Sequence, residues 1–231
     1  MEFPNEFQHQ CINLIKHIIP ISGARFLIID PHMDKIGFVG YNVETTMENQ
    51  YKGTLEHLDP MHYSNFEESE ETVISSNTVM KHQYWLKTMF YQDFIKPYGY
   101  THVTDCFLRN NGRIVAILTV LRDEALPEFS PEELEKLRGA LPFIEYSLNS
   151  IYIPARVSER EYVRSTYGLT NRELDVLELA LTGIDNKTMT KHLEMSLPTL
   201  RTHLQHIFTK TQVNSSSELI AKILKELYKS P

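Results

Sequence analysis

Apolar residues recur three and four positions apart over residues 5–19, at Phe7, Cys11, Leu14, Ile15 and Ile18, with Pro20 directly after them. That spacing predicts an amphipathic helix stopped by the proline. Two short β-rich runs follow, Ala24–Ile29, ended by Asp30-Pro31, and Ile36–Val43, which together read as a hairpin. Residues 44–98 read as helical or irregular, with an acidic patch at Glu67–Glu71 and an aromatic group of Tyr84, Trp85, Phe90, Tyr91, Phe94 and Tyr98. Alternation resumes at His102–Arg109, Asn110-Asn111-Gly112 is a hairpin turn, and Ile114–Leu121 is apolar enough for a central strand. Ser130-Pro131-Glu132-Glu133 has the residues of a capping box and opens a helix to about Ile151.

From Leu169 the pattern is helical and punctuated. Thr170 to Glu173 form a capping box, Leu174, Leu177 and Leu181 a stripe, and Gly183 a helix stop. Asn186 caps a short second helix, and Ser196-Leu197-Pro198 a third that runs through about Thr211 on a stripe of Leu200, Leu204 and Ile207. About three residues separate the two, which fits a helix-turn-helix whose longer member carries Arg201, His203, His206 and Lys210. Ser217 caps a fourth helix. Its apolar stripe, Leu219, Ile220, Ile223, Leu224 and Leu227, is wider than so small a module can bury, and predicts pairing with a second copy.

Composition narrows the class. The 231 residues are 42% hydrophobic and 23% charged, an ordinary globular balance. The net charge of −7 would argue against nucleic acid, but it is unevenly spread. There are 15 Lys and Arg against 23 Asp and Glu up to Ser165, and 8 against 7 after it, which suggests two parts with different tasks. Cys11 and Cys106 are too few and too distant for a disulfide framework or metal site, and read as reduced thiols of a cytoplasmic protein. No apolar run approaches the roughly 20 residues of a membrane span, and the N-terminus lacks a basic secretory leader. Neither a nucleophile elbow, a phosphate loop nor an HExxH is present, so no catalytic residue, cofactor or enzyme activity is expected. Zinc at His203 and His206 lacks further ligands nearby.

The segment Leu169–Leu227 resembles the four-helix DNA-binding domain of LuxR-type transcriptional regulators. The resemblance rests on the Leu-Thr-x-Arg-Glu opening, Leu177, Gly183, Asn186-Lys187, Leu193, Ser196, Thr199 to Leu204, Ile207, Lys210, Val213 and Glu218. Thr211, Thr190 and Ser216 stand where the family usually has leucine, alanine and arginine. On the residues alone, Arg201 and Lys210 are also what a solvated amphipathic helix carries. The resemblance implies that Arg201, Thr202 and Gln205 read bases in a major groove, where these side chains suit guanine, a thymine methyl and adenine. It implies that Lys187, Ser196, Thr199, His206 and Lys210 hold phosphates, with His203 partly buried.

Ahead of this module, one candidate is a phosphorylated receiver with Asp30 as acceptor. Only Glu2 and Glu6 precede it as acids, too little for a receiver's acidic pair. Tyr51 followed by Asp59-Pro60, Phe94–Gly99, Ile114–Arg122 and Phe129-Ser130 resemble instead the PAS- or GAF-like, autoinducer-binding sensor sheets of quorum-sensing regulators. Met47 and Glu48 lie where those binders have a tryptophan. Tyr41, Tyr51, Asp59, Tyr63, Trp85 and Phe90 are the candidate ligand contacts, each also explicable as core.

The expected protein has an α+β sensor over 1–153, an antiparallel sheet flanked by helices, a linker over 154–165, and an all-α helix-turn-helix over 166–231. It acts as a homodimeric cytoplasmic regulator on a pseudo-palindromic double-stranded operator, with RNA polymerase as a partner and a small molecule bound in the sensor. An interaction protein with a degraded helix-turn-helix is the alternative.

Overall fold

The spacing of the first apolar residues forms helix α1, Glu6–Ile18, in a computed structural model that describes residues 6–29, 39–51 and 55–227. Strand β1, Gly23–Ile28, pairs antiparallel with β2, Val39–Tyr41, as the hairpin pattern predicts. The start of the second predicted run, and Asp30 with it, lie outside the described residues.

Residues 44–98 are mostly short helical pieces, among them α2, Thr45–Gln50. They also contain a strand the pattern did not disclose, β3, Val73–Ser75, too short to show an alternation. Helices α3, Ser76–Val79, and α4, His82–Trp85, lead into the aromatic group. Trp85, Phe90 and Phe94 bury against one another, with ring centroids 6.0 Å (Trp85 to Phe90) and 5.2 Å (Phe90 to Phe94) apart, whereas Tyr84 stays exposed.

Two long strands follow, β4, His102–Asn110, and β5, Arg113–Arg122. Asn111 and Gly112 both take positive φ, +50° and +83°, which is the type I′ turn that Asn-Gly favours. The five strands form one antiparallel sheet in the order β2-β1-β5-β4-β3. The centres of β4 and β5 are buried without alternation because both faces of the sheet are covered. Phe107, Ile117 and Leu121 meet the aromatic layer on one face. On the other, Phe7 of α1 packs edge-on against Phe26, and helix α5, Pro131–Ser147, covers β3 and β4.

Ser130 and Glu133 cap α5 reciprocally, as the sequence predicts. Glu133 also pairs with the buried Arg122, whose guanidinium donates to the Pro20, Pro127 and Glu128 carbonyls. This ties the end of β5 to the start of α5.

The chain divides into two compact units, Phe7–Asn149 and a second that takes in Ser150 onward. A widened helical turn at Leu148–Tyr152 is followed by α6, Ile153–Tyr167, which occupies the stretch read as a linker. Its charges lack apolar periodicity because they pack by ion pairing. Arg160 contacts Glu178 at 2.6 Å and Asp175 at 2.8 Å, and the buried Arg156 reaches Glu178 at 3.4 Å.

The partners of these arginines lie on α7, Asn171–Leu181, which Thr170 and Glu173 cap as predicted, and Gly183 follows with φ +76°. Helix α8, Asn186–His192, is capped by Asp185, one residue before the predicted Asn186. The aspartate accepts from the Thr188 N–H at 3.0 Å, which needs a side chain three residues upstream. Helix α9, Leu197–Thr211, begins at its predicted cap, Ser196. Helix α10, Ser216–Leu227, begins two residues earlier than predicted, with Ser215 rather than Ser217 accepting from the Glu218 N–H. Among the described residues, no helix is long and apolar enough to cross a membrane.

Candidate functional site

The C-terminal unit presents a polar helix face on an apolar support. Leu200, Leu204, Ile207 and Thr211 turn α9 inward, and the buried Thr211 hydroxyl is satisfied by the Ile207 carbonyl at 2.7 Å. This stripe leaves Thr199, Arg201, Thr202, Gln205 and His206 exposed together. His203 is half-buried. Ser196 accepts from the Thr199 N–H, which fixes the first turn of α9, and the two hydroxyls lie 2.8 Å apart. Thr202, exposed, donates its hydroxyl to the Pro198 carbonyl at 3.1 Å. Lys187 stands exposed near the start of α8.

Two of these side chains face Glu173 at the start of α7: His206, with Nδ1 3.8 Å from Oε1, and Lys210, which is bound far more closely. Its ammonium donates to Glu173 at 2.7 Å and to the Gly168 carbonyl at 2.9 Å, and is thereby tied to the start of α7. Burial alone would raise the pKa of Glu173. Lys210, together with the N–H and hydroxyl of Thr170, instead holds that carboxyl below its ordinary value.

The N-terminal unit holds a second candidate, a cavity of about 20 Å³ between the sheet and the aromatic layer. That is room for a water molecule. Of the predicted ligand contacts, Tyr51, Asp59 and Phe90 line it. Trp85 does not: it is fully buried and its indole N–H donates to the Thr101 carbonyl at 3.1 Å. Tyr41 sits on edge strand β2 beneath the Lys16 ammonium, and Tyr63 stacks on His62, neither of them on the lining.

The pattern missed three polar residues of the cavity floor. Arg25, Thr119 and Asp105 are direct partners across β1, β5 and β4. Arg25 Nε donates to the Thr119 hydroxyl at 3.1 Å, and that hydroxyl donates to Asp105 Oδ1 at 2.5 Å. The available signal was a polar residue within each of three strand patterns, which register brings to one face. Opposite them, Tyr51 donates to Asp59 Oδ2 at 2.8 Å, and the Met61 N–H donates to Oδ1 at 2.8 Å. Burial raises the pKa of the Tyr51 phenol, with the Asp59 charge adding to it, so Tyr51 stays a donor. Burial also raises Asp59, and pushes Asp105 up to about 6.

Residues 168–223 match the family profile described as bacterial regulatory proteins, luxR family. The chain is 27% identical over 213 residues to the monoamine regulon transcriptional regulator of Klebsiella aerogenes, covering 92% of this chain and 88% of that one. It is 38% identical over 58 residues, a quarter of its length and 27% of the relative's, to the oxygen regulatory protein NreC of Staphylococcus haemolyticus. Among solved structures, Escherichia coli SdiA is similar at 15% identity and a TM-score of 0.46, over 96% of this chain and 90% of that one. The capped helix pair with its exposed polar face falls within the profile match, and the chain is a DNA-binding transcriptional regulator with a LuxR-type helix-turn-helix domain.

Proposed function

We propose that α9 is the recognition helix, with Arg201, Thr202 and Gln205 meeting base edges while Lys187, Ser196, Thr199 and His206 hold the flanking phosphates. The observation that carries this reading is the exposed polar face of α9, held rigid by a buried leucine stripe and a serine cap. Lys210 has a different part: bound to Glu173, it fixes α9 against α7.

The regulator works as a homodimer in the cytoplasm on a pseudo-palindromic operator, its recognition helices about one DNA turn apart, and acts on transcription by RNA polymerase. Leu219 and Ile223 of α10 are fully buried, whereas Ile220, Leu224 and Leu227 on the same helix are half-buried. That supports α10 as part of the dimer contact. The N-terminal unit is the sensor, and its cavity is the effector site. A bound molecule shifts the population of the DNA-competent form.

The test is binding of the full chain to genomic fragments at increasing salt. Specific fragments should be retained against random competitor, with affinity falling steeply and log-linearly with salt. A flat salt response, or no preference for any fragment, overturns the assignment of α9 and favours an interaction protein.

A further inference from the structure

The cavity floor carries charge that packing alone does not require. Asp105 stands in the middle of β4, on a strand covered on both faces, at 6% exposure. A carboxyl in such a place is unfavourable unless it is paired. Its Oδ1 accepts a hydrogen bond from Thr119, and Arg25 is the positive charge that acts on it. Asp59 lines the same cavity, accepting from the Tyr51 hydroxyl at Oδ2 and from the Met61 N–H at Oδ1, and a carboxylate oxygen can accept more than one hydrogen bond. The two acids lie close enough for the charge of Asp59 to act on Asp105. Arg25 is the one cation among the described lining residues, and it lies over the Tyr51 ring, 5.0 Å from the centroid. Tyr51, Phe90 and Phe94 supply π faces.

We infer that this cavity takes a small organic ammonium compound with a flat apolar body, whose N–H groups donate to Asp105 and Asp59 and whose body lies against Phe90 and Phe94. The inference rests on reading the cavity as the effector site. The lining sets one cation, Arg25, against two acids; an ammonium adds the second positive charge, with several donors, and aromatic faces favour such a cation further. A neutral amide would add no charge to offset the second acid, and an anion would be repelled by both. The compound needs more room than a water molecule occupies. Met47 and Met61 form part of the wall, and their unbranched side chains can repack.

The experiment uses the full chain at pH 7.5, with calorimetric binding and thermal shift as readouts. Four probes are compared: 2-phenylethylamine, its neutral counterpart 2-phenylethanol, the anion 3-phenylpropionate, and the neutral amide N-hexanoyl homoserine lactone. The amine should bind and raise the melting temperature, at least tenfold more tightly than the other three. Asp105→Asn should weaken amine binding at least tenfold with an unchanged circular dichroism spectrum. Should that variant fail to fold, the amine-over-alcohol preference of the unaltered chain decides alone. Equal binding of the alcohol or the lactone, or full amine affinity in a folded Asp105→Asn, overturns the ammonium inference and leaves the effector site standing. Silence of all four probes at millimolar concentration overturns both.

Discussion

The ammonium of Lys210 lies 2.7 Å from Oε2 of Glu173, a carboxylate whose side chain is 4% exposed. The same carboxylate caps α7 through Thr170, so one buried charge joins the first helix of the module to the end of α9. Lys210→Met should leave it with the Thr170 donors and with His206 Nδ1 3.8 Å away. The expected loss is about 2 kcal/mol, reduced from a fully buried pair because Lys210 is one-third exposed. Chemical denaturation of the variant measures it, and the salt slope of DNA binding should stay unchanged, as a phosphate contact would not allow. The folded pKa of Glu173 is depressed, so its contribution is present above the carboxylate's unfolded value and is lost as pH falls through the folded one.

Arg201 and Lys187 should separate base reading from phosphate holding. Arg201→Ala should cost about 1–3 kcal/mol and relax preference at one operator position. Lys187→Ala should weaken all sequences alike and lower the salt slope by about one. Competition binding on a randomised operator library distinguishes the two patterns.

Trp85 should prove a core residue. Trp85→Phe leaves the Thr101 carbonyl without its indole donor and a void where the larger ring lay, for an expected loss of about 2 kcal/mol. Urea unfolding followed by circular dichroism gives the value, since this is the single tryptophan of the chain. Effector affinity should change less than twofold.

Asp105 makes the N-terminal unit sensitive to pH in the opposite sense to Glu173. Its folded pKa is raised to about 6 from 3.8, chiefly by burial, with Arg25 from β1, Thr119 from β5 and Asp59 from the facing loop as its charged and hydrogen-bonding neighbours. The folded state therefore holds the proton more tightly, and the group's penalty is absent below about pH 4 and complete above about pH 6. Asp105→Asn should stabilise the chain at pH 7.5 by up to about 3 kcal/mol, a gain that vanishes toward pH 4. Melting curves across that range test it.

What could be read from the sequence follows from how each element is held. α1, β4, β5 and α7 to α10 bury apolar stripes or carry caps, and their residues say so in one dimension. The exposed face of α9 was legible for the same reason: a regular stripe fixes which residues are left over. The cap shifts at Asp185 and Ser215 come from several eligible side chains in a row, a choice made by backbone geometry. α6 escaped because Val163 is its one buried apolar residue and the others that face inward are Arg156 and Arg160, which look like surface charges until Glu178 is placed opposite them. The cavity floor escaped because Arg25, Thr119 and Asp105 are distant in sequence and adjacent only through strand register. Tyr51, Asp59 and Phe90 line the cavity and Trp85 does not, because aromatic size alone does not separate a wall from a pillar.

The clasp on Glu178 bears on how this protein can be cut. The family match opens at residue 168, yet the guanidiniums that neutralise that carboxylate come from residues 156 and 160. A recombinant piece begun at the match would expose the groove that α6 fills and leave an acid facing it with nothing opposite. A fragment that keeps the clasp has to begin before Arg156, upstream of where the family profile alone would place the scissors.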